Sequence, residues 1–242
     1  MSLQGKVIAI TGAAGTMGRA LIDELARQGA KPIAITTSLN ARFDRAVEVL
    51  FWRPGAEMDL RDRFQKIDIL VINHGVNLRG DRRPAAIEKS LQVNALSAWS
   101  LAEVFLSTVA TATDPASKEI WVNTSEAEVS PAFSPLYEVS KRLLGDLITL
   151  RRLDAPCVIR KIILGPFKSN LNPIGVMSAN WVAWAVVSLA QYNVRNIIVT
   201  INPLTYLTFP LKEIAQSLYF RLFSRSTPQP SALTPGRGES QK

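Results

Sequence analysis

The chain has 242 residues, of which 47% are hydrophobic and 20% are charged, a composition that suits one globular domain with a full core. Because Cys157 is the single cysteine, an internal disulfide is excluded. Together with the absence of a charged-then-apolar leader before the first strand, this favours a cytoplasmic setting. His74 is the single histidine, which argues against a clustered metal site. The net charge of +8 permits an anionic partner, but the basic residues are spread among acids without a nucleic-acid-binding motif, so we expect neither nucleic acid nor metal to bind.

Short apolar runs alternate with longer helical patterns along the chain. The runs predict buried strands at 6–11, 31–36, 46–51, 67–73, 119–124, 157–164 and 196–201, and helices are expected near 16–28, 57–65, 87–110, 136–151 and 178–191. Continuous apolar strands separated by helices indicate a parallel sheet covered on both faces. The predicted fold class is therefore α/β, a doubly wound parallel seven-stranded sheet of the Rossmann type, in a single domain over 1–205.

A glycine-rich turn, Thr11-Gly12-Ala13-Ala14-Gly15-Thr16-Met17-Gly18, follows the first strand and opens the first helix. Glycines at such a turn let the backbone bend tightly and approach a pyrophosphate, which the free amides at the helix start then bind. The alternative is that the turn only packs the helix on the sheet. The glycine turn follows the first of seven predicted strands, and this position weakens the alternative. We therefore expect a dinucleotide to be bound by Gly12, Gly15, Thr16, Met17 and Gly18.

Further along the chain, Tyr137 and Lys141 stand four residues apart on a predicted helix. Side chains at i and i+4 share one face of a helix, so the lysine charge can favour the phenolate. Ser125, at the end of the fifth predicted strand, precedes Tyr137 by 12 residues. Asn94 lies within a predicted helix, and Asn73-His74-Gly75 follows the fourth predicted strand.

In their order and spacing, the glycine turn and these four later elements resemble the short-chain dehydrogenase/reductase family over approximately residues 3–201. The resemblance implies hydride exchange between a nicotinamide cofactor and a small-molecule carbonyl or alcohol substrate. It also implies that Tyr137 is the general acid and base, that Lys141 lowers its pKa and bonds the nicotinamide ribose, and that Ser125 donates a hydrogen bond to the substrate oxygen.

The same resemblance implies supporting roles for other residues. Asn94 would hold a water that joins Lys141 to solvent, and Asn73, His74 and Gly75 would lie beside the cofactor, without a catalytic role for His74. Helices at 87–110 and 136–151 would build the interface of a homodimer or homotetramer.

Two features depart from the common single-domain pattern. The glycines are spaced TGxxGxxG, as in longer epimerase-like members that carry a large C-terminal substrate domain. Only about forty residues follow the last predicted strand, so epimerisation of nucleotide sugars is expected to be the less favoured branch. The segment Trp52-Arg53-Pro54-Gly55 also lacks the acid that usually meets adenine.

The end of the second predicted strand bears on the choice of cofactor, because an acid there would bond both ribose hydroxyls of NAD. The chain has Thr36, Thr37 and Ser38 there, followed by Arg42, and no acid. Hydroxyls near a guanidinium can accept a 2'-phosphate, so NADP(H) is favoured and NAD(H) stays an alternative. The competing interpretation is that these residues only cap a helix.

After the sixth predicted strand, Gly165 and Pro166 stand where the family has a Pro-Gly turn, in reversed order, and are expected to contact the cofactor. Six apolar residues nearby could line a substrate pocket, or could equally belong to the core or a dimer contact: Phe133, Leu136, Phe167, Ile174, Met177 and Trp181. A hydrophobic carbonyl or alcohol substrate is therefore a hypothesis.

The C-terminal part is predicted to form an amphipathic helix at 206–225, followed by a disordered tail at 226–242 that is rich in Pro, Ser, Gly and Gln. The helix is too short and too charged to span a bilayer. Packing on its own domain or on a partner subunit is favoured, and peripheral membrane contact is left open.

Two classes of function remain at this stage. An NADP(H)-dependent oxidoreductase is supported by the complete set Asn94, Ser125, Tyr137 and Lys141. A non-catalytic dinucleotide-binding sensor or scaffold is suggested by the irregular adenine segment and the reversed Gly-Pro turn. The intact set favours the enzyme.

Overall fold

A computed structural model describes residues 1–109, 112, 114–170 and 172–225. The strands are β1 (Val7–Thr11), β2 (Lys31–Thr36), β3 (Glu48–Phe51), β4 (Ile69–Ile72), β5 (Glu119–Asn123), β6 (Val158–Leu164) and β7 (Asn196–Val199). The α-helices are α1 (Thr16–Arg27), α2 (Arg61–Gln65), α3 (Pro84–Leu91), α4 (Ser97–Val109), α5 (Pro135–Arg151), α6 (Ala179–Gln191) and α7 (Thr205–Phe223). Short 3₁₀ turns lie at Glu57–Leu60, Pro115–Ser117 and Glu126–Glu128, and a π-helical turn lies at Gln92–Leu96.

The seven strands form one parallel sheet in the order β3-β2-β1-β4-β5-β6-β7, which confirms the predicted fold class. The chain first builds outward from β1 to β3 and then crosses back to place β4 on the other side of β1. The loops after β1 and β4 therefore run in opposite directions and leave a crevice at the carboxyl edge of the sheet.

Each face of the sheet carries its own apolar cluster. Ile8 and Ile10 of β1 point to the side covered by α1 and α6, and Ala9 points to the side covered by α2, α4 and α5. Since both faces are covered, the central strand β4 is apolar throughout, as the sequence pattern predicts, whereas β6 carries the buried charges of Arg160 and Lys161.

The helix predicted at 87–110 is divided in the structure. It consists of α3, the π-helical turn Gln92–Leu96 and α4, and Ser97 donates its backbone N–H to the carbonyl of Gln92, five residues earlier. Such turns occur frequently at functional sites. Residue 110 and the tail predicted at 226–242 lie outside the described residues.

The C-terminal helix begins at Thr205 and packs against α5 and the turn at Glu126–Glu128. Its buried residues are Thr205, Phe209 and Glu213, which lie on one face because they are four residues apart. In the part of the chain that the structure describes, no helix combines the length and the apolar character needed to cross a membrane.

Candidate active site

Close packing requires the glycines of the turn after β1. Gly12 has a φ of 64°, and a Cβ atom there would lie 2.8 Å from the Cα of His74. A Cβ atom at Gly18 would clash with the carbonyl oxygen of Gly12. The first turn of α1 contains no acidic residue, so the free amides that begin at Thr16 are available to an anion. The side chain of Met17 is buried in the core, and only its backbone can serve a cofactor.

The segment after β2 divides the predicted cofactor residues into two kinds. The hydroxyl of Thr36 is buried and accepts the backbone N–H of Ser38 at 3.0 Å, so it shapes the turn instead of facing a ligand. Thr37, Ser38 and Arg42 are exposed. Arg19, which was not predicted, donates a hydrogen bond from Nη1 to the backbone carbonyl of Arg42 at 3.0 Å. Arg19 is thereby held against the loop that carries the exposed Thr37, Ser38 and Arg42, and hydroxyl and guanidinium groups are suited to binding a phosphate.

His74 joins three segments of the crevice. Its Nδ1 lies 2.8 Å from the hydroxyl of Thr11, its Nε2 lies 2.9 Å from the hydroxyl of Ser97, and its ring meets Trp52 edge to face at 5.0 Å. Burial, with a smaller effect from the charge of Lys141, lowers the pKa of His74 to about 3. The neutral ring uses both nitrogens to hold the loop after β4 against β1 and α4, which agrees with a non-catalytic role.

A chain of hydrogen bonds crosses the carboxyl ends of the central strands. The backbone N–H of Asn73 donates to the hydroxyl of Thr11 at 2.9 Å, and the side-chain amide of Asn123 donates to Oδ1 of Asn73 at 2.7 Å. The carbonyl of Asn123 accepts the ammonium of Lys141 at 3.0 Å. Asn123 was not predicted, although its position at the end of a central strand was the available signal.

Asn94 fixes the loop after β4 against α5. Its Oδ1 accepts the backbone N–H of Val76 at 2.7 Å, and its Nδ2 donates to the carbonyl of Val76 and the hydroxyl of Ser140, both at 2.9 Å. A Cβ atom at Gly75 would lie only 3.1 Å from that Oδ1. Asn94 therefore positions the loop through its side chain, and its role in holding a water stays a prediction. Ser140 was missed because a serine within a helix carries no sequence signal.

Tyr137, Lys141 and Ser125 lie together beside this loop. The ammonium of Lys141 is 5.8 Å from the centre of the Tyr137 ring, and the hydroxyl of Ser125 accepts the backbone N–H of Ala127 at 3.2 Å. Burial lowers the pKa of Lys141 to about 8, an effect that the charge of Glu128 opposes.

The pKa of Tyr137 differs from the prediction. Burial raises it, and a hydrogen bond with Ser125 offsets part of that rise. The net shift is therefore opposite to the lowering expected from Lys141, because loss of hydration dominates and the ammonium donates to the Asn123 carbonyl.

Glu126 ties the turn after Ser125 to the last strand and helix. Its Oε2 accepts the hydroxyl of Thr200 at 2.6 Å and the hydroxyl of Thr205 at 3.3 Å. Thr200 follows β7 and Thr205 begins α7, so the loop of the candidate catalytic serine is held by the C-terminal part of the chain.

Glu128 anchors the other end of the same turn. Its buried carboxylate accepts the ammonium of Lys161 at 3.0 Å and that of Lys212 at 2.8 Å. A Cβ atom at Gly145 of α5 would overlap this carboxylate, which explains a glycine within that helix. Neither Glu126 nor Glu128 was predicted from the sequence, because the partners of both carboxylates are distant in sequence.

Gly165 and Pro166 lie where β6 ends. A Cβ atom at Gly165 would clash with the side chain of Thr200, and the carbonyl of Pro166 accepts the backbone N–H of Val176 at 3.0 Å, so the chain folds back on itself. Among the six apolar candidates, Met177 is buried in the core, and Phe167 is partly buried and packs against that core. Leu136 is partly buried, and three of the candidates are exposed: Phe133, Ile174 and Trp181.

The structure thus assembles most of the predicted residues at one edge of the sheet. The loop after β4, with Asn73 and Gly75, meets Asn94 and Lys141, whereas Thr37, Ser38 and Arg42 form a separate group after β2. Within the described ranges, no group of three or more His, Cys, Asp or Glu side chains could hold a metal ion. The structure places a phenol beside an ammonium at the same edge of the sheet as the glycine turn.

Comparison with curated proteins adds one relative. No protein-family model matches the chain. The chain is 56% identical over 233 residues to the monoglucosyldiacylglycerol epimerase of Synechocystis sp., a match that covers 94% of this chain and 57% of that protein. The chain therefore spans little more than half the length of the curated relative it matches.

Solved structures show the fold. A short-chain dehydrogenase from Burkholderia cenocepacia in complex with NADP has a TM-score of 0.72 at 18% identity, over 93% of this chain and 100% of that chain. Ligand-free aldohexose dehydrogenase from Thermoplasma acidophilum has a TM-score of 0.68 at 17% identity, over 94% and 98%. An alcohol dehydrogenase from Thermococcus sibiricus complexed with 5-hydroxy-NADP has a TM-score of 0.68 at 18% identity, over 82% and 96%.

Proposed function

We propose that this chain, which has the fold of the short-chain dehydrogenases, binds NADP(H) and epimerises an alcohol carbon on the sugar of a glycolipid, by oxidation followed by reduction. The observation that carries the proposal is the 56% identity with an epimerase over 94% of the chain. The TGxxGxxG spacing agrees with it. The opposite expectation rested on the number of residues after the last strand, and the match to a relative named an epimerase outweighs that argument.

The residues that would hold NADP(H) fit the group. Gly12 and Gly18 leave the turn no room for a side chain, and the first turn of α1 offers its amides to the pyrophosphate. Arg19, which contacts the backbone of Arg42, and the exposed Thr37, Ser38 and Arg42 of the loop after β2 offer groups that suit the 2'-phosphate. Several solved structures of this fold contain NADP, and these observations favour NADP(H) over NAD(H). When bound, the cofactor would accept a hydride from the alcohol carbon and later return it.

The side chains of the site supply the proton transfers. Tyr137 Oη accepts the proton of the substrate hydroxyl during oxidation and returns it during reduction, while the Ser125 hydroxyl donates a hydrogen bond to the same oxygen. Because burial raises the pKa of Tyr137, the free phenol keeps its proton, which is the form that protonates the carbonyl oxygen during reduction. The ammonium of Lys141 stabilises the phenolate needed for oxidation.

The two half-reactions balance. One hydride and one proton leave the alcohol in the first half, and both return in the second, with the hydride delivered to the opposite face of the carbonyl carbon. The product is the epimer, and no oxidant or reductant is consumed. Phe133 and Ile174 have exposed side chains and are our candidates for apolar contacts with the substrate.

The direct test uses a monoglucosyl diacylglycerol with deuterium on the carbon that changes configuration, together with substoichiometric NADP+. We expect the epimer to form with its deuterium retained. Tyr137→Phe should lower the rate by at least about a hundredfold, because it removes the general acid and base, while NADP+ affinity changes less than about twofold. Tyr192→Phe, at an exposed tyrosine outside the site, is the matched control.

The alternatives give different results. A simple dehydrogenase would accumulate the ketone and reduced cofactor in equal amounts. A non-catalytic sensor or scaffold would bind NADP+ without turnover, and Tyr137→Phe would then behave as the unaltered chain does. Loss of the deuterium to solvent would contradict hydride transfer through a bound cofactor.

A further inference from the structure

The two faces of α7 differ in what they contact. Thr205, Phe209 and Glu213 face the domain and are buried. The opposite face carries five apolar residues, each between 57% and 67% exposed: Leu207, Leu211, Ile214, Leu218 and Leu222. Their intervals of three and four residues place them in one stripe along the helix, which we call the outer stripe. Packing within the domain does not explain a continuous apolar stripe on the solvent side.

The charges around the outer stripe are of one sign. Glu213 is the single acid of α7, and it faces inward to Lys161 and Arg152. Arg221 is exposed on the same helix, and Arg195 is exposed on the segment before β7 and lines a groove together with Ile214 and Leu218. The stripe is therefore bordered by guanidinium groups, which complement an anionic surface.

The stripe is also continuous with the rim of the candidate active site. Thr205 at the start of α7 donates its hydroxyl to Glu126, the neighbour of Ser125, at 3.3 Å. Ile201 and Leu204, which are 61% and 63% exposed, connect the carboxyl end of β7 to the first turn of α7. Exposed apolar surface thus extends from the edge that holds the site to the far end of the helix.

We propose that the outer stripe lies on the surface of an anionic lipid bilayer and holds the cleft at the membrane. This inference rests on the proposed function in one respect, the lipid nature of the substrate. With the sugar head group of the lipid bound in the cleft, the acyl chains would extend toward Leu204 and Leu207 at the start of the apolar surface. The helix lies in the interface, with its apolar face in the acyl boundary and its arginines among the head groups.

The test measures vesicle binding by flotation and does not depend on catalysis. Vesicles contain phosphatidylcholine alone or phosphatidylcholine with about one third phosphatidylglycerol. We expect the full chain to float with the anionic vesicles, and the double variant Leu211→Gln/Ile214→Gln to bind them at least about tenfold more weakly. Arg221→Gln should weaken binding about fivefold on anionic vesicles and have little effect on neutral ones.

A matched control removes two exposed apolar side chains from the opposite edge of the sheet. Val47→Gln/Met58→Gln changes residues that are 64% and 63% exposed beside β3, and this variant should float as the unaltered chain does. NADPH affinity within about twofold of the unaltered chain shows that each variant is folded.

The outcomes separate this inference from the proposed function. No flotation of the unaltered chain, or equal flotation of Leu211→Gln/Ile214→Gln, overturns the membrane surface. Dissociation of an oligomer by the same variant, with vesicle binding unchanged, also overturns it and identifies the stripe as a contact between copies. Flotation that depends on the stripe, in a chain that epimerises no glycolipid, supports the surface and contradicts the proposed function.

Discussion

The ammonium of Lys141 lies 5.8 Å from the centre of the Tyr137 ring and donates a hydrogen bond to the carbonyl of Asn123 at 3.0 Å. Its contact to the sheet places the charge under the face of the phenol, four residues along the same helix. The ammonium is buried to reach this position, and the burial lowers its pKa from 10.5 to about 8.

Replacing Lys141 by Met should therefore change how stability depends on pH. Between pH 8 and 10.5 the unfolded lysine binds a proton that the folded one lacks, so the folded state gains stability as the pH rises through this window. The gain is on the order of 3 kcal/mol and should be absent from Lys141→Met. Urea unfolding across this range measures it, with exposed Lys31→Met as control. A stability difference between Lys141→Met and the unaltered chain that does not vary with pH would contradict the burial.

The single histidine offers a direct check of the crevice. Because burial lowers the pKa of His74 to about 3, its imidazole resonances should not titrate between pH of about 8 and about 5. The folded state should also lose stability as the pH falls below 6.5, since only the unfolded histidine binds a proton there. Proton NMR follows the ring. A titration midpoint near 6.5 would show that the bonds to Thr11 and Ser97 do not hold it.

The group after β2 should decide between the two nicotinamide cofactors. Arg42→Ala and Arg19→Ala are each expected to weaken NADPH binding about tenfold, because a charge-assisted hydrogen bond to the 2'-phosphate is lost. NADH binding should be nearly unchanged. Arg53→Ala, at an exposed arginine after β3, is the control in a fluorescence titration. Equal losses for both cofactors would place the 2'-phosphate elsewhere.

The buried charges under α7 should govern stability more than those on the surface. Glu213 accepts the ammonium of Lys161 at 2.8 Å and a guanidinium N–H of Arg152 at 2.9 Å. Glu213→Gln should lower the free energy of unfolding by about 3–5 kcal/mol, because it removes the carboxylate charge that the buried ammonium of Lys161 and the guanidinium of Arg152 share. Glu103→Gln, which breaks the more exposed pair with Arg151, should cost about 1 kcal/mol or less.

The effect of Glu213 should also depend on pH with a definite sign. Lys161 is the main group that lowers the pKa of this carboxyl below 4.5, against the opposing effect of burial. The carboxylate therefore stabilises the fold above pH 4.5, and this contribution is lost as the pH falls further. Urea unfolding of the unaltered chain and of Glu213→Gln should converge in acid, and a gap that stays constant would contradict the ion pair.

Much of the fold was predictable because its signals are local. Apolar runs and helical periodicity predicted all seven strands, and the spacing of the glycines predicted the tight turn after β1. The site was predictable only in part, because Glu126, Glu128 and Asn123 act through partners that are distant in sequence. Phe167 and Met177 were candidates for a pocket, the core or a dimer contact, and the tertiary packing places Met177 in the core with Phe167 against it.

The sequence by itself determined the parallel α/β sheet and the glycine turn, because periodicity and spacing need no knowledge of distant neighbours. Its resemblance to a known family predicted the set Asn94, Ser125, Tyr137 and Lys141. Only the tertiary structure decided the protonation of that set, since burial raises the pKa of Tyr137 and lowers those of His74 and Lys141. It also decided which face of α7 stays apolar and exposed. Hydration and charge at any position depend on which remote segments pack beside it, and the fold alone brings those segments together.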